Sequence, residues 1–282
     1  MTCGLLNSQI LGTSIGTYQP ETTAWIIRTE AAGGTISNGT KDAVDAFVVS
    51  CKGAGIFTKF KRLNLFCGNN FTACLSPLVN TAGTTMETNS GMSAGNYSQA
   101  GGLVGGSGSL NTGLVPNTTL AYNNWHMAAY IIASSAANRM DMGCLGHPSG
   151  NIQMRFTSKY GTYGGTQIGS ITISGDYNGG ANQAFQTYGT AITNGLALAS
   201  RTSASSLRVR NTSGSVNVVN TLAYSGIQAL PTAVFWAMGA NGAEITLNTV
   251  GGYSIGLGLS DVECASYCSI MQTFQAALGR ST

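Results

Sequence analysis

Two carboxyl groups a few ångströms apart in an open groove are the minimum equipment of most glycosidases: one protonates the leaving oxygen, the other acts as base or nucleophile. The 282-residue chain offers only ten carboxylates for that work: Glu21, Glu30, Asp42, Asp45, Glu87, Asp141, Asp176, Glu244, Asp261 and Glu263. A strand presents such a pair on one face at i, i+2 or i+4, and no E-x-D or E-x-x-x-E occurs. Asp261 and Glu263 fall in the first turn of a helix, where the macrodipole and a cap account for them, and Asp42 and Asp45 fall in the same way at an earlier helix. Asp141 and Asp176 are left beside strands, each alone. The two histidines, His126 and His147, have no motif around them. Ser149 follows His147 closely in GHPSG, but triad members rarely neighbour one another in sequence. The stretch GGSGSLNTG lacks the lysine of a phosphate loop. Sparse acids disfavour a calcium site, and the lack of a CxxC pair disfavours zinc. On these grounds the chain is expected not to be an enzyme and to hold no metal or cofactor.

Binding asks for less. Sugars are held by aromatic faces and by amide and hydroxyl groups on loops. Residues 158–190 carry Tyr160, Tyr163, Tyr177, Asn178, Asn182, Phe185 and Tyr188 among glycines. About half would fill a core; Tyr160, Tyr163, Tyr177 and Asn178 are the candidate ligand-binding residues. The seven cysteines are an odd number, so complete internal pairing is excluded. Cys264 and Cys268 stand at i, i+4 on one helix face, with Cα–Cβ bonds too nearly parallel to bridge each other without distortion. Cys51, Cys67 and Cys74 are their natural partners, and Cys3 is the leading candidate for a bridge to a neighbouring subunit. The competing reading is that all seven stay reduced and the buried ones serve as small hydrophobes.

These residues must be positioned by β structure. Charged residues make up 8% of the chain, against about 25% in an ordinary globular domain, and the polar share is carried by Gly, Ser, Thr and Asn, which make turns and strand surfaces. The net charge is only +3. Its densest basic group, Lys59, Lys61 and Arg62 with Lys52 nearby, reads as a solvated face around a short helix, and no nucleic-acid partner is expected. No run reaches the ~18–20 apolar residues of a membrane span, and residues 1–17 lack the basic start and long apolar run of a signal peptide. A surface so poor in charge predicts burial in an assembly.

Along the chain, residues 1–22 show no clear periodicity. Ser37 caps a helix with Val44, Phe47, Val48 and Cys51 on one stripe, ended by Gly53 and Gly55. A short helix is expected over Phe71–Asn80. The stretch WHMAAYIIA, 125–133, is a strong strand, followed by strand candidates at 151–157, 167–174, 194–200, 206–210, 215–222, 232–238 and 253–258. A capping box, Ser260 with Glu263, opens a last helix over about 261–278, with Tyr267, Met271, Phe274 and Leu278 facing the body. The spacing predicts a mainly β fold: an antiparallel two-sheet jelly-roll sandwich with short flanking helices at the N-terminal segment and the C-terminus. It divides into an arm for attachment or assembly (1–24), a helical lead-in packed on the sandwich (25–80), and the sandwich with its terminal helix (81–282).

The stretch WIIRTEAAGGTISNGTKDAVDAFVVSCKGAGIFTKFKRLNLFCG, 25–68, resembles the helical segment that precedes a laminin-G-like (concanavalin-like) jelly roll in a group of phage structural proteins. The likeness continues through GSGSLNTGLVPNTT (106–119), GLALASRTSASSLRVRNTSG (195–214) and IGLGLSDVECASYCSIMQTFQAALGR (255–280). Residues 1–24 lie outside it, and Cys3, Cys264 and Cys268 are not part of its pattern. The resemblance implies a virion protein made in the host cytoplasm: a tail, fibre, collar or capsid-surface component that serves assembly, decoration or host attachment. Its partners would be other virion proteins, copies of itself (a homo-oligomer, a trimer among the options) and a host-surface glycan. It supplies no catalytic residues. The alternatives are a polysaccharide depolymerase and a secreted carbohydrate-binding lectin.

Overall fold

The computed structural model describes residues 18–135, 140–147, 150–163, 166–173, 184–188, 194–203, 206–210, 220–221, 230–240 and 244–280. Its helices are α1 (Pro20–Ala31), α2 (Asn38–Gly53), α3 (Phe71–Cys74), α4 (Pro116–Thr119) and α5 (Asp261–Ala277). The first sheet comprises β1 (Phe60–Asn64), β2 (Val79–Asn80), β4 (Tyr97–Ser98), β5 (Gly102–Val104), β7 (Trp125–Ala133), β12 (Gly195–Ser203), β13 (Ser206–Arg210), β14 (Asn220–Thr221) and β17 (Thr249–Gly256). The second comprises β3 (Thr88–Ser90), β6 (Ser109–Asn111), β8 (Met142–His147), β9 (Gly150–Tyr163), β10 (Thr166–Ile173), β11 (Ala184–Tyr188), β15 (Trp236–Ala237) and β16 (Gly239–Ala240). The first runs β14-β13-β12-β7-β17-β1-β2, with β5 on β17 and β4 on β5; the second runs β11-β10-β9-β8-β15-β6-β3, with β16 on β8. Pairing is antiparallel except between β16 and β8. The expected two-sheet antiparallel sandwich with short helices is what forms.

Period-2 alternation explains the layering. On β7, Trp125, Met127, Ala129 and Ile131 enter the core between the sheets. Ala128 and Tyr130 enter a second core under the helices. On β12, Ala197 and Ala199 take the first side, Leu196 and Leu198 the second. A strand covered on both faces must be apolar throughout, which is why these two read as continuous hydrophobic runs.

The helical layer follows from caps and stripes. Ser37 accepts a hydrogen bond from the Thr40 N–H, and Val44, Phe47, Val48 and Cys51 of α2 are buried. The Ser260–Glu263 capping box starts α5, and Tyr267, Met271, Phe274 and Leu278 are buried as expected. Gly279, at φ 74°, ends the helix in a left-handed conformation that favours glycine. Arg280 then ties this end to the first sheet: its guanidinium donates to the carbonyls of Gln99 (2.8 Å), Gly251 (3.1 Å) and Phe66 (2.6 Å) and to Oε1 of Gln275 (2.8 Å).

Three elements differ from expectation. α1 has no side-chain cap and starts on Pro20, so its opening lay hidden in what reads as an arm. The helix expected over 71–80 closes after one turn, capped by Asn70; Pro77 has no N–H to continue it, and the chain turns into β2. The lead-in segment also supplies β1, which lies between β17 and β2 with Leu63 opposite Ser254.

Candidate functional site

A nucleophile–base pair exists, but in the interior. β7 and β17 are neighbours, which sets His126 Nε2 3.1 Å from Ser254 Oγ. Nδ1 lies 2.6 Å from the Leu257 carbonyl. A carbonyl only accepts, so Nδ1 carries the proton and Nε2 accepts from the serine. Tyr267, from α5, donates to the same Oγ at 3.0 Å. Both His126 and Ser254 are fully buried, and burial pushes the imidazole down to about 4, so it stays neutral. A substrate cannot reach this pair. It acts as a latch between sheet and helix.

Each described carboxylate has a partner. Glu263 caps α5 and pairs with Lys59 at 2.6 Å; Asp261 pairs with Arg208 at 2.7 Å; Glu21 pairs with Lys52 and Glu30 with Lys41. Asp42 and Asp45 do not serve the start of α2; they accept from the Tyr18 hydroxyl and the Gln19 N–H. Glu87 is buried against Arg62, 3.0 Å away, and takes hydrogen bonds from Tyr253 (2.5 Å) and Asn64 (3.4 Å). Burial raises the Glu87 carboxyl, and the Arg62 charge opposes that rise. Asp141, which stands alone in sequence, is the hub of a buried cluster: it accepts from Ser158 N (2.5 Å), Thr246 Oγ1 (2.9 Å) and Asn248 Nδ2 (2.6 Å). Its pKa too is raised by burial.

The basic group read as a solvated face is thereby corrected. Arg62 is wholly buried, and Lys59 and Lys52 are in ion pairs. The reason is the strand: on β1, Arg62 projects toward Glu87 and the Ala82 and Thr84 carbonyls, partners no local pattern announces.

The described charged pair on the far side of the second sheet is Arg155 with Glu244, at 2.6 Å and with side chains 17% and 36% exposed. Met154 and Phe156 on either side of Arg155 point into the core between the sheets, so alternation turns Arg155 the other way. β10 and β11 extend the sheet from there, with Thr172 opposite Arg155 and Gly169 opposite Tyr188. Of the predicted ligand-binding residues, Tyr160 and Tyr163 lie on β9; Tyr177 and Asn178 fall outside the described residues, as do Asp176 and Ser149. Sequence reasoning missed Arg155 and Glu244. They are 89 positions apart, and no spacing rule links residues that meet only in the folded chain.

The disulfide candidates are corrected as well. No disulfide links two described cysteines: Cys51, Cys67, Cys74, Cys144, Cys264 and Cys268 are all buried, and Cys3 lies outside the described residues. Cys51, Cys67, Cys264 and Cys268 do share the core under the helices, while Cys74 and Cys144 line the core between the sheets. Burial pushes the Cys67 thiol up to about 12 and those of Cys51, Cys74 and Cys144 strongly upward. That suppresses the thiolate on which exchange depends. No group of three or more His, Cys, Asp or Glu suited to a metal ion occurs among the described residues, and no described helix is long and apolar enough to cross a membrane.

No family model matches the chain, and no curated protein does. Several solved structures are similar. A Trypanosoma rangeli sialidase aligns over 88% of this chain and 38% of its own, at 10% identity and a TM-score of 0.47. A GH54 α-L-arabinofuranosidase aligns over 62% and 40%, at 15% identity and 0.41. The enzymatically active domain of tailspike protein 2 of bacteriophage CBA120 aligns over 65% and 29%, at 13% identity and 0.38. The chain thus spans about two fifths or less of the length of each. All three are enzymes by name, which runs against the expectation that this chain is not an enzyme. The expectation rested on carboxylate spacing along one strand, whereas Arg155 and Glu244 show that charged groups here converge from distant segments. At such scores the likeness carries no argument about this chain's own chemistry.

Proposed function

We propose that this chain recognises and cleaves polysaccharide on the outward side of its second sheet, as a component of a phage particle. The observation that carries the reading is the asymmetry of the sandwich. α1, α2 and α5 cover the first sheet, while the far side of the second holds the part-exposed Arg155–Glu244 pair. Beside it run β9, β10 and β11, whose residues are largely Thr, Ser, Gln, Gly and Tyr. Uncharged hydroxyl and amide groups among tyrosines suit sugar hydroxyls and ring faces. Glu244 is the part-exposed carboxylate on this side that can exchange a proton with a glycosidic oxygen, and Arg155 beside it can contact an acidic sugar. The particle context, self-association and a host-surface glycan rest on the resemblance of residues 25–280 to phage structural proteins.

The test is a panel of bacterial capsular and wall polysaccharides, with new reducing ends and retention on immobilised glycan both measured. Wild type is expected to bind one of them and release reducing ends. Glu244→Gln should abolish release while keeping retention, and Tyr160→Ala with Tyr163→Ala should lose retention. Retention without cleavage in wild type would make the chain a lectin; neither binding nor cleavage across the panel would overturn the reading.

A further inference from the structure

Asp141, just ahead of β8, carries a buried carboxylate whose described hydrogen-bond partners are all uncharged: the Ser158 N–H, the Thr246 hydroxyl and the Asn248 side-chain amide. A buried charge without a counter-charge is costly, and this one takes no part at the Arg155–Glu244 pair. Two of its partners, an alcohol and a carboxamide, also touch each other. Ser158 Oγ lies 3.0 Å from Asn248 Nδ2, and the Ser158 side chain hydrogen-bonds the Asp141 carboxyl as well. Ser158, Thr246 and Asn248 are all buried, so water is kept from them.

These are the parts of an acyl transfer. A C–N bond of about 1.33 Å puts Asn248 Cγ no more than about 4.3 Å from Ser158 Oγ. The nitrogen that would leave, Nδ2, is 2.6 Å from Asp141 Oδ1. The oxygen that would gather negative charge, Asn248 Oδ1, accepts the Ser135 N–H at 2.8 Å. Burial raises the pKa of Asp141, against the Ser158, Asn248 and Thr246 hydrogen bonds that lower it. A carboxylate so placed is a better base toward a hydroxyl and a ready acid toward a departing amine.

We propose that Ser158 and Asn248 join through an intramolecular ester. Ser158 Oγ attacks Asn248 Cγ while Asp141 takes the hydroxyl proton. The tetrahedral intermediate holds its charge on Oδ1, facing the Ser135 N–H. The Cγ–Nδ2 bond then breaks as Asp141 passes the proton to nitrogen, and ammonia leaves. One C–O bond replaces one C–N bond, nothing is oxidised or reduced, and Asp141 ends as it began. The ester ties β9 of the second sheet to Asn248, which leads into β17 of the first, across 90 positions. Closing so long a loop confines the unfolded chain as a disulfide does, in a protein where no disulfide links two described cysteines. The proposal is independent of any activity on polysaccharide.

Peptide mass spectrometry on the full chain tests it. Trypsin, cutting after Arg155, Lys159, Arg210 and Arg280, leaves Ser158 in peptide 156–159 and Asn248 in peptide 211–280. Wild type should yield the two joined, at their summed mass less about 17 Da for the lost ammonia. Hydroxylamine, which cleaves esters, should separate them. Ser158→Ala and Asp141→Asn should yield 211–280 at its full mass. Free 156–159 beside 211–280 at its full mass in wild type would overturn the proposal, whatever the variants do. So would ammonia lost from 211–280 with no 156–159 attached, since the attacking group would then lie within that peptide. A link that survives hydroxylamine would be no ester, and one that persists in Asp141→Asn would remove the carboxyl from the step.

Discussion

Acidifying the protein should cost it stability through one residue. His126 is fully buried, and burial lowers its pKa from 6.5 to about 4. Between those values the unfolded chain binds a proton that the folded state refuses. Stability from this group is therefore complete above pH 6.5 and is lost as pH falls toward 4. A shift of about 2.5 units at ~1.36 kcal/mol each amounts to roughly 3 kcal/mol. The geometry explains the refusal. Nδ1 already donates to Leu257 O and Nε2 accepts from Ser254, whose Oγ also takes the Tyr267 hydroxyl. The nearby charges, Lys59 and Glu263, act in opposite senses and largely satisfy each other in their ion pair. The assay is urea unfolding at pH 7, 6, 5 and 4 for wild type and His126→Gln. Titration of the carboxylates is common to both, so the difference isolates the histidine. Wild type should lose about 3 kcal/mol more than the variant between pH 7 and pH 4. Parallel curves for the two proteins would refute the reasoning, because the imidazole would then titrate alike folded and unfolded.

Removing one partner of a buried ion pair strands the other, so Glu87→Gln should destabilise by about 3–5 kcal/mol. Arg62→Met with Glu87→Met should recover much of that, and a denaturation midpoint unchanged in the single variant would mean Arg62 finds water. Phe274→Ala removes a ring that meets Phe47 edge to face and should cost about 3–5 kcal/mol; no shift in the urea midpoint would show that α5 is not docked there. The buried thiols of Cys51, Cys67, Cys74 and Cys144 should resist iodoacetamide in the folded protein at pH 8 and react in urea without added reductant. Prompt modification of any of them under native conditions, read by peptide mapping, would contradict the burial that raises their pKa values.

Local chemistry made part of this structure legible. The Ser260–Glu263 box, the stripe from Tyr267 to Leu278 and the Ser37 cap each involve residues within one or two helical turns, and all three form. The run WHMAAYIIA reads as a strand because its apolarity serves two cores at once. α1 was hidden because Gln19 provides no side-chain cap, and the expected helix at 71–80 overlooked what Pro77 does to a helix.

The sequence alone determined the class: a chain with 8% charged residues, rich in turn-forming polar groups, folds mainly as sheets. Its local signals also set where α2 and α5 begin and end. Only the tertiary structure decided the fate of the chemistry-bearing residues. Tyr253 comes beside the Arg62–Glu87 pair because β1 pairs with β17, some two thirds of the chain later. His126 meets Ser254 because β7 pairs with the same strand. Arg155 meets Glu244 across 89 positions. For Tyr253 and Ser254 the neighbour is chosen by strand pairing, which follows from burying both faces of a sheet, and in none of these cases does a period of 2 or 3.6 residues along the chain encode it.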